Sequence, residues 1–99
     1  MRGRFVDLVE RQLELYAAEH ARLLDECGEA LDAYNAAPRD EAEERYGDYV
    51  DLVDDAREAL LGYRDRYAAT LDSEAAGEYE EVFNQLVNKR LPSLGLEFD

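Results

Sequence analysis

His20, Cys27 and Tyr16 are the side chains in this sequence whose chemistry could extend beyond packing. The chain holds one histidine and one cysteine in 99 residues. A histidine can shuttle protons or bind metal, and a thiol becomes a nucleophile where a nearby cation lowers its pKa. The surroundings in sequence favour neither role. One cysteine permits no intramolecular disulfide, and no Cys/His spacing matches a zinc site. Di-iron bundles use inward-facing Glu-x-x-His pairs, but Ala17 stands three residues before His20. The acids Asp48, Asp51, Asp54, Asp55 and Glu58 lack the spacing and the glycine of a calcium loop. There is no glycine-rich nucleotide loop. The expectation is therefore a non-enzymatic chain with no catalytic residue, cofactor or metal site. Its rival is a metal- or small-ligand-binding helical bundle centred on His20, with Tyr16, Cys27 and nearby carboxylates.

Charge narrows the partners. The chain has 25 acidic and 11 basic residues, a net charge of −14. Such a balance repels nucleic-acid phosphates and anionic membranes, so neither is an expected direct partner. An acidic nucleic-acid mimic that binds a basic protein is a second rival. Scarce lysine beside many acids also fits adaptation to high salt, where the mutual repulsion is screened. With 46% apolar or aromatic residues recurring at helical spacing, the chain is expected to fold rather than remain disordered. No segment is apolar and long enough for a membrane span, and a cytoplasmic location is expected.

The elements that must position these residues are all helical. Val9, Leu13, Tyr16, His20, Leu23, Cys27, Leu31 and Tyr34 step by threes and fours, predicting one helix over about residues 4–35. Asn35-Ala-Ala-Pro38 breaks it, with Pro38 suited to the first turn of the next helix. Tyr46, Tyr49/Val50, Val53, Ala56, Leu60, Tyr63, Tyr67 and Leu71 continue the pattern over about 38–71. Asp72-Ser-Glu suits an N-cap and first turn. It opens a third helix over about 73–91, with Tyr79, Val82/Phe83 and Leu86 inward and Pro92 ending it. The predicted fold is all-α within a single domain. It is an antiparallel three-helix bundle built on a long helical hairpin, with a shorter third helix and an extended tail at 92–99. Tyr16, Tyr34, Tyr46, Tyr49, Tyr63, Tyr67 and Tyr79 all lie on the stripes and are expected in the core or at its edge. Gly28 and Gly47 fall at one level of the hairpin and are expected to allow close approach or a bend.

One mismatch points to a site. At 1.5 Å per residue the first two helices span about 50 Å and the third only about 28 Å. The seam formed by Leu24, Cys27, Leu31, Tyr34, Tyr46, Tyr49, Val50 and Val53 therefore lies beyond the third helix. The tail, with Leu94, Leu96 and Phe98 at alternate positions, is one candidate cover; a symmetric homodimer and another protein are the others. Residues 84–96 contain no acid and carry Lys89 and Arg90. The expected contact set is Leu31, Tyr34, Tyr46, Tyr49, Lys89, Arg90, Leu94, Leu96 and Phe98, in a small acidic protein that acts by protein–protein interaction.

Overall fold

The computed structural model describes residues 3–94, and all regular structure among them is helical. Four α-helices follow one another: α1 (Val6–Glu19), α2 (Ala21–Ala36), α3 (Ala42–Ala68) and α4 (Ser73–Arg90), followed by a short 3-10 turn at Pro92–Leu94.

The helix expected over 4–35 is divided at His20, whose φ of −117° and ψ of 25° leave the helical region. The break is a bend rather than a gap. The His20 N–H still donates to the Tyr16 carbonyl at 2.9 Å, and its own carbonyl accepts from the Leu24 N–H at 3.0 Å. Periodicity could not reveal it, because the apolar stripe steps through residues 16, 20 and 23 without interruption.

Two further boundaries differ from expectation. Pro38 lies in the connecting turn, where its carbonyl accepts from the Glu41 N–H at 2.9 Å, so α3 begins at Ala42. At the other end α3 stops at Ala68, and the Thr70 and Leu71 N–H groups close tightened turns onto Tyr67 and Ala68. The Asp72 carboxylate accepts from the Ala75 N–H at 2.9 Å, the cap that Asp-Ser-Glu predicts for α4.

Cross-helix contacts fix the directions. Tyr16 reaches Ala56 and Tyr34 meets Tyr46, so α1 and α2 together run antiparallel to α3. Arg64 bonds Asn84 at 3.0 Å and Tyr67 packs on Tyr79, which makes α4 antiparallel to α3. Arg4 pairs with Glu78 and Glu10 with Arg90, so α4 runs parallel to α1.

The centre of the molecule is a buried set with helical spacing: Val9, Leu13 and Tyr16 of α1, Val53, Ala56 and Leu60 of α3, and Tyr79, Phe83 and Val87 of α4. Phe5 enters α1 with a φ of 71°, a left-handed conformation that costs about 1 kcal/mol for a non-glycine residue. Its half-buried ring meets Tyr79 edge-on at 5.5 Å and packs against the core.

Among the described residues α4 packs on α1 and α3 and does not reach α2. The end of the hairpin formed by α2 and the first half of α3 thus extends past the three-layered part, within an overall length of 50 Å. Among the described residues only the 3-10 turn accompanies it. Leu94 is 1% exposed and joins the core, so the start of the expected extended tail is instead a turn packed on its own chain. Leu96 and Phe98 lie outside the described residues.

Removing the Leu94 side chain should leave a cavity that helices joined by short loops close only in part. Leu94→Ala is expected to lower unfolding free energy by about 2–4 kcal/mol, read from the urea midpoint; a loss within error would show that Leu94 is not a core residue.

Candidate functional site

The chemistry-bearing residues gather at the bend. The rings of Tyr16 and His20 stack at 5.0 Å, and Tyr63 of α3 meets both edge-on, at 5.6 Å and 6.0 Å. The Tyr63 hydroxyl donates to the Glu19 carboxylate. The Tyr16 hydroxyl donates to the Ala56 carbonyl at 2.7 Å, tying the bend to the middle of α3. His20 is thus part of an aromatic clasp between α1, α2 and α3. No group of three or more His, Cys, Asp or Glu side chains that could hold a metal ion converges among the described residues.

Cys27 is buried nearly two turns into α2. Burial pushes its thiol up from the ordinary value, and the nearby Glu26 and Asp55 carboxylates add to the rise. A raised thiol holds its proton at neutral pH, the reverse of what a nucleophile needs. The acids Asp48, Asp51, Asp54, Asp55 and Glu58 are all exposed.

Beyond the bend, α2 and α3 present the apolar row that α4 does not cover. Leu24, Leu31, Tyr34, Tyr49 and Val50 are half-buried, and Tyr46 is 51% exposed. Tyr46 therefore departs from the core or core-edge position expected for every tyrosine. It forms a small exposed aromatic group instead, 5.2 Å from Tyr34 and 6.4 Å from Tyr49 between ring centroids. Among the described residues no further helix lies over this end of the hairpin, at the connecting turn of residues 37–41.

A groove of about 190 Å³ runs into this row, lined by Leu24, Cys27, Gly28, Leu31 and Tyr49, by Leu91 at the end of α4, and by Ser93 and Leu94 of the 3-10 turn. A second recess shares Tyr49 and Ser93 and extends along Tyr46, Val50 and Val53. The Arg57 Nε donates a long bond, 3.4 Å, to the Leu94 carbonyl beside it.

Five of the expected contact residues, Leu31, Tyr34, Tyr46, Tyr49 and Leu94, are brought together here, with Leu94 already spent on the core. Arg90 is not among them: it turns to α1, where its guanidinium pairs with Glu10 at 3.0 Å. Lys89 is exposed at the end of α4. Sequence reasoning missed Gly28, Leu91 and Ser93 as lining. Gly28 was expected to permit close helix packing, yet a Cβ added there, or at Gly47, would meet nothing within 4 Å. No close approach between the described elements requires either glycine.

No protein-family model, curated protein or solved structure matches the chain.

The buried phenols make the clasp and core sensitive to alkali. Burial pushes both Tyr16 and Tyr79 from 10.0 up to about 12. At pH values under 10 both phenols are protonated whether the chain is folded or not, and their contribution is fully present. Between 10 and about 12 the unfolded chain releases protons that the folded chain retains, so stability should fall as pH rises through that window. Tyr16→Phe combined with Tyr79→Phe should flatten most of this slope, with denaturant midpoints and tyrosinate absorbance as the readout. An unchanged slope would place the alkaline sensitivity elsewhere.

Proposed function

We propose that this chain is a small, acidic, non-enzymatic, cytoplasmic protein that binds another protein through the open end of its helical hairpin. The observation that carries this reading is the half-exposed row of Leu24, Leu31, Tyr34, Tyr46, Tyr49 and Val50, which among the described residues α4 does not cover, since it packs on α1, α3 and the 3-10 turn and does not reach α2. Tyrosine-rich apolar patches are the usual anchors of protein interfaces, since each ring contributes large contact area at small entropic cost.

The charge around the row defines the chemistry of the partner. Between residues 21 and 57 the sequence has twelve acids and four arginines. Arg45 is shared between Glu41 and Asp48, at 3.8 Å each, and Arg57 stands 3.6 Å from Asp54. A segment with apolar anchors ringed by lysine or arginine would match this surface. A second copy of the chain would set acid against acid, a repulsion that only high salt screens.

The test separates the surface from the fold. Leu31→Asp and Tyr46→Asp alter half-buried and exposed positions, and each variant should keep the helical spectrum of the parent. Proteins retained from an extract by the parent chain should be lost on both variants, with affinity for the purified partner reduced roughly tenfold or more. Equal retention and affinity, together with an unchanged mass across a concentration series, would remove the hairpin row from any binding role.

A further inference from the structure

We propose that the element this hairpin receives is an amphipathic helix of about eleven residues, basic along both flanks, that lies between α2 and α3 in line with α4. It rests on the partner surface proposed above and specifies what fills it.

The seat has the shape of a helix site. Where α4 lies, it packs on α1 and α3 and buries Tyr79, Phe83 and Val87 at intervals of four residues. Among the described residues it does not reach α2, and Leu91, Ser93 and Leu94 at its end line the groove that continues between α2 and α3. From Leu24 to Tyr34 along α2 is ten residues, about 15 Å, and from Tyr46 to Arg57 along α3 is eleven, about 17 Å. Three helical turns fit that length. Apolar residues at i, i+4 and i+7 would repeat on this row the contacts that α4 makes on its own.

Backbone chemistry separates a helix from an extended segment. Each N–H and C=O laid against apolar side chains needs a hydrogen-bond partner. An extended segment takes those partners from a strand edge, but all regular structure among the described residues is helical and the groove offers no such edge. A helix bonds its own backbone and brings only side chains to the row.

Charge sets the flanks. Asp25 and Asp32 each follow a lining leucine of α2, and Asp54 lines the recess on α3; all three are exposed. At about 100° of rotation per residue, Gly28 falls between those leucines and the two aspartates, so Asp25 and Asp32 stand on the outer rim. Arg57 offsets Asp54 at 3.6 Å, yet residues 21 to 57 still carry twelve acids against four arginines. Lysine or arginine on both sides of an entering helix meets carboxylates on both walls, whereas a second hairpin brings the same excess of acid.

Gly28 opens the wall to a close neighbour. It is exposed within α2 and lines the groove, and a Cβ placed on it meets nothing within 4 Å among the described residues. Glycine is a poor helix former, and its missing side chain leaves room for a partner backbone.

The probe is a synthetic peptide of about fourteen residues, with two leucines and a tryptophan on one helical face and lysine, arginine and alanine elsewhere. It is titrated into the full 99-residue chain at physiological ionic strength. The chain has no tryptophan, so the indole reports the peptide alone. The peptide should gain helix on binding. It should bind roughly tenfold more tightly than a peptide of the same composition with its apolar residues dispersed, or one with a central proline. Leu31→Asp should weaken binding roughly tenfold although it makes the chain more acidic. Gly28→Leu sends its side chain into open space; it should obstruct the seat equally while keeping or raising the melting temperature.

Equal affinity for the dispersed peptide, or tighter binding by Leu31→Asp, would reduce the effect to net charge and overturn the seat. Equal affinity for the proline peptide would overturn the helix in favour of an extended segment. A glutamate-flanked peptide that binds as tightly would overturn the charge match. A parent chain whose mass doubles with concentration while Gly28→Leu stays single would overturn it in favour of a second copy. Extract partners lost on Leu31→Asp and Tyr46→Asp, with no binding of the basic peptide, would refute the helix and leave the partner surface standing. Equal retention by those variants would refute the surface itself.

Discussion

Nine residues separate the length of α3 from that of α4, and at 1.5 Å per residue this difference of about 13 Å governs the rest of the architecture. A helix buries its apolar stripe only where another element lies alongside. Where α1, α3 and α4 overlap, Val9, Leu13, Tyr16, Leu60, Tyr79, Phe83 and Val87 are sealed from water. Past the end of α4 the same periodic stripe continues along α2 and α3 with one neighbour fewer among the described residues, and Cys27 is the single buried residue of α2. The groove follows from one short helix rather than from any special residue.

Tyrosine suits this gradient of burial. At the closed end its hydroxyl must find a partner within the protein, and it does: Tyr16 donates to the Ala56 carbonyl and Tyr79 to the Gln12 side chain, each at 2.7 Å. No buried side-chain polar atom among the described residues lacks a hydrogen bond. Further along the hairpin the rings of Tyr34, Tyr46 and Tyr49 lean on one another, where water can satisfy their hydroxyls. One residue type thus serves as core and as surface, according to how many helices surround it.

The acid distribution complements that arrangement. The carboxylates of α3 stay on its solvent side, and the ion pairs they make with Arg45 and Arg57 are exposed, contributing only tenths of a kcal/mol each. Stability therefore rests on the apolar interior and its tyrosine hydrogen bonds. The carboxylates instead shape the electrostatic field around the hairpin.

Sequence alone determined that the chain is helical, which faces turn inward, that Asp72 caps the last long helix, and that this final helix is too short to lie along the whole hairpin. These are local properties, set by periodicity, capping chemistry and helix rise. The bend at His20 was invisible because the stripe passes through it in register, and only the stacking of Tyr16, His20 and Tyr63 from two sides of the core shows how it is held. Tyr46 and Tyr16 occupy equivalent stripe positions, yet one is half-exposed and the other sealed. Arg90 and Leu94, neighbours in an acid-free run, diverge to α1 and to the hairpin. Those outcomes depend on which helices overlap in space, a non-local property that the order of residues along one helix does not carry.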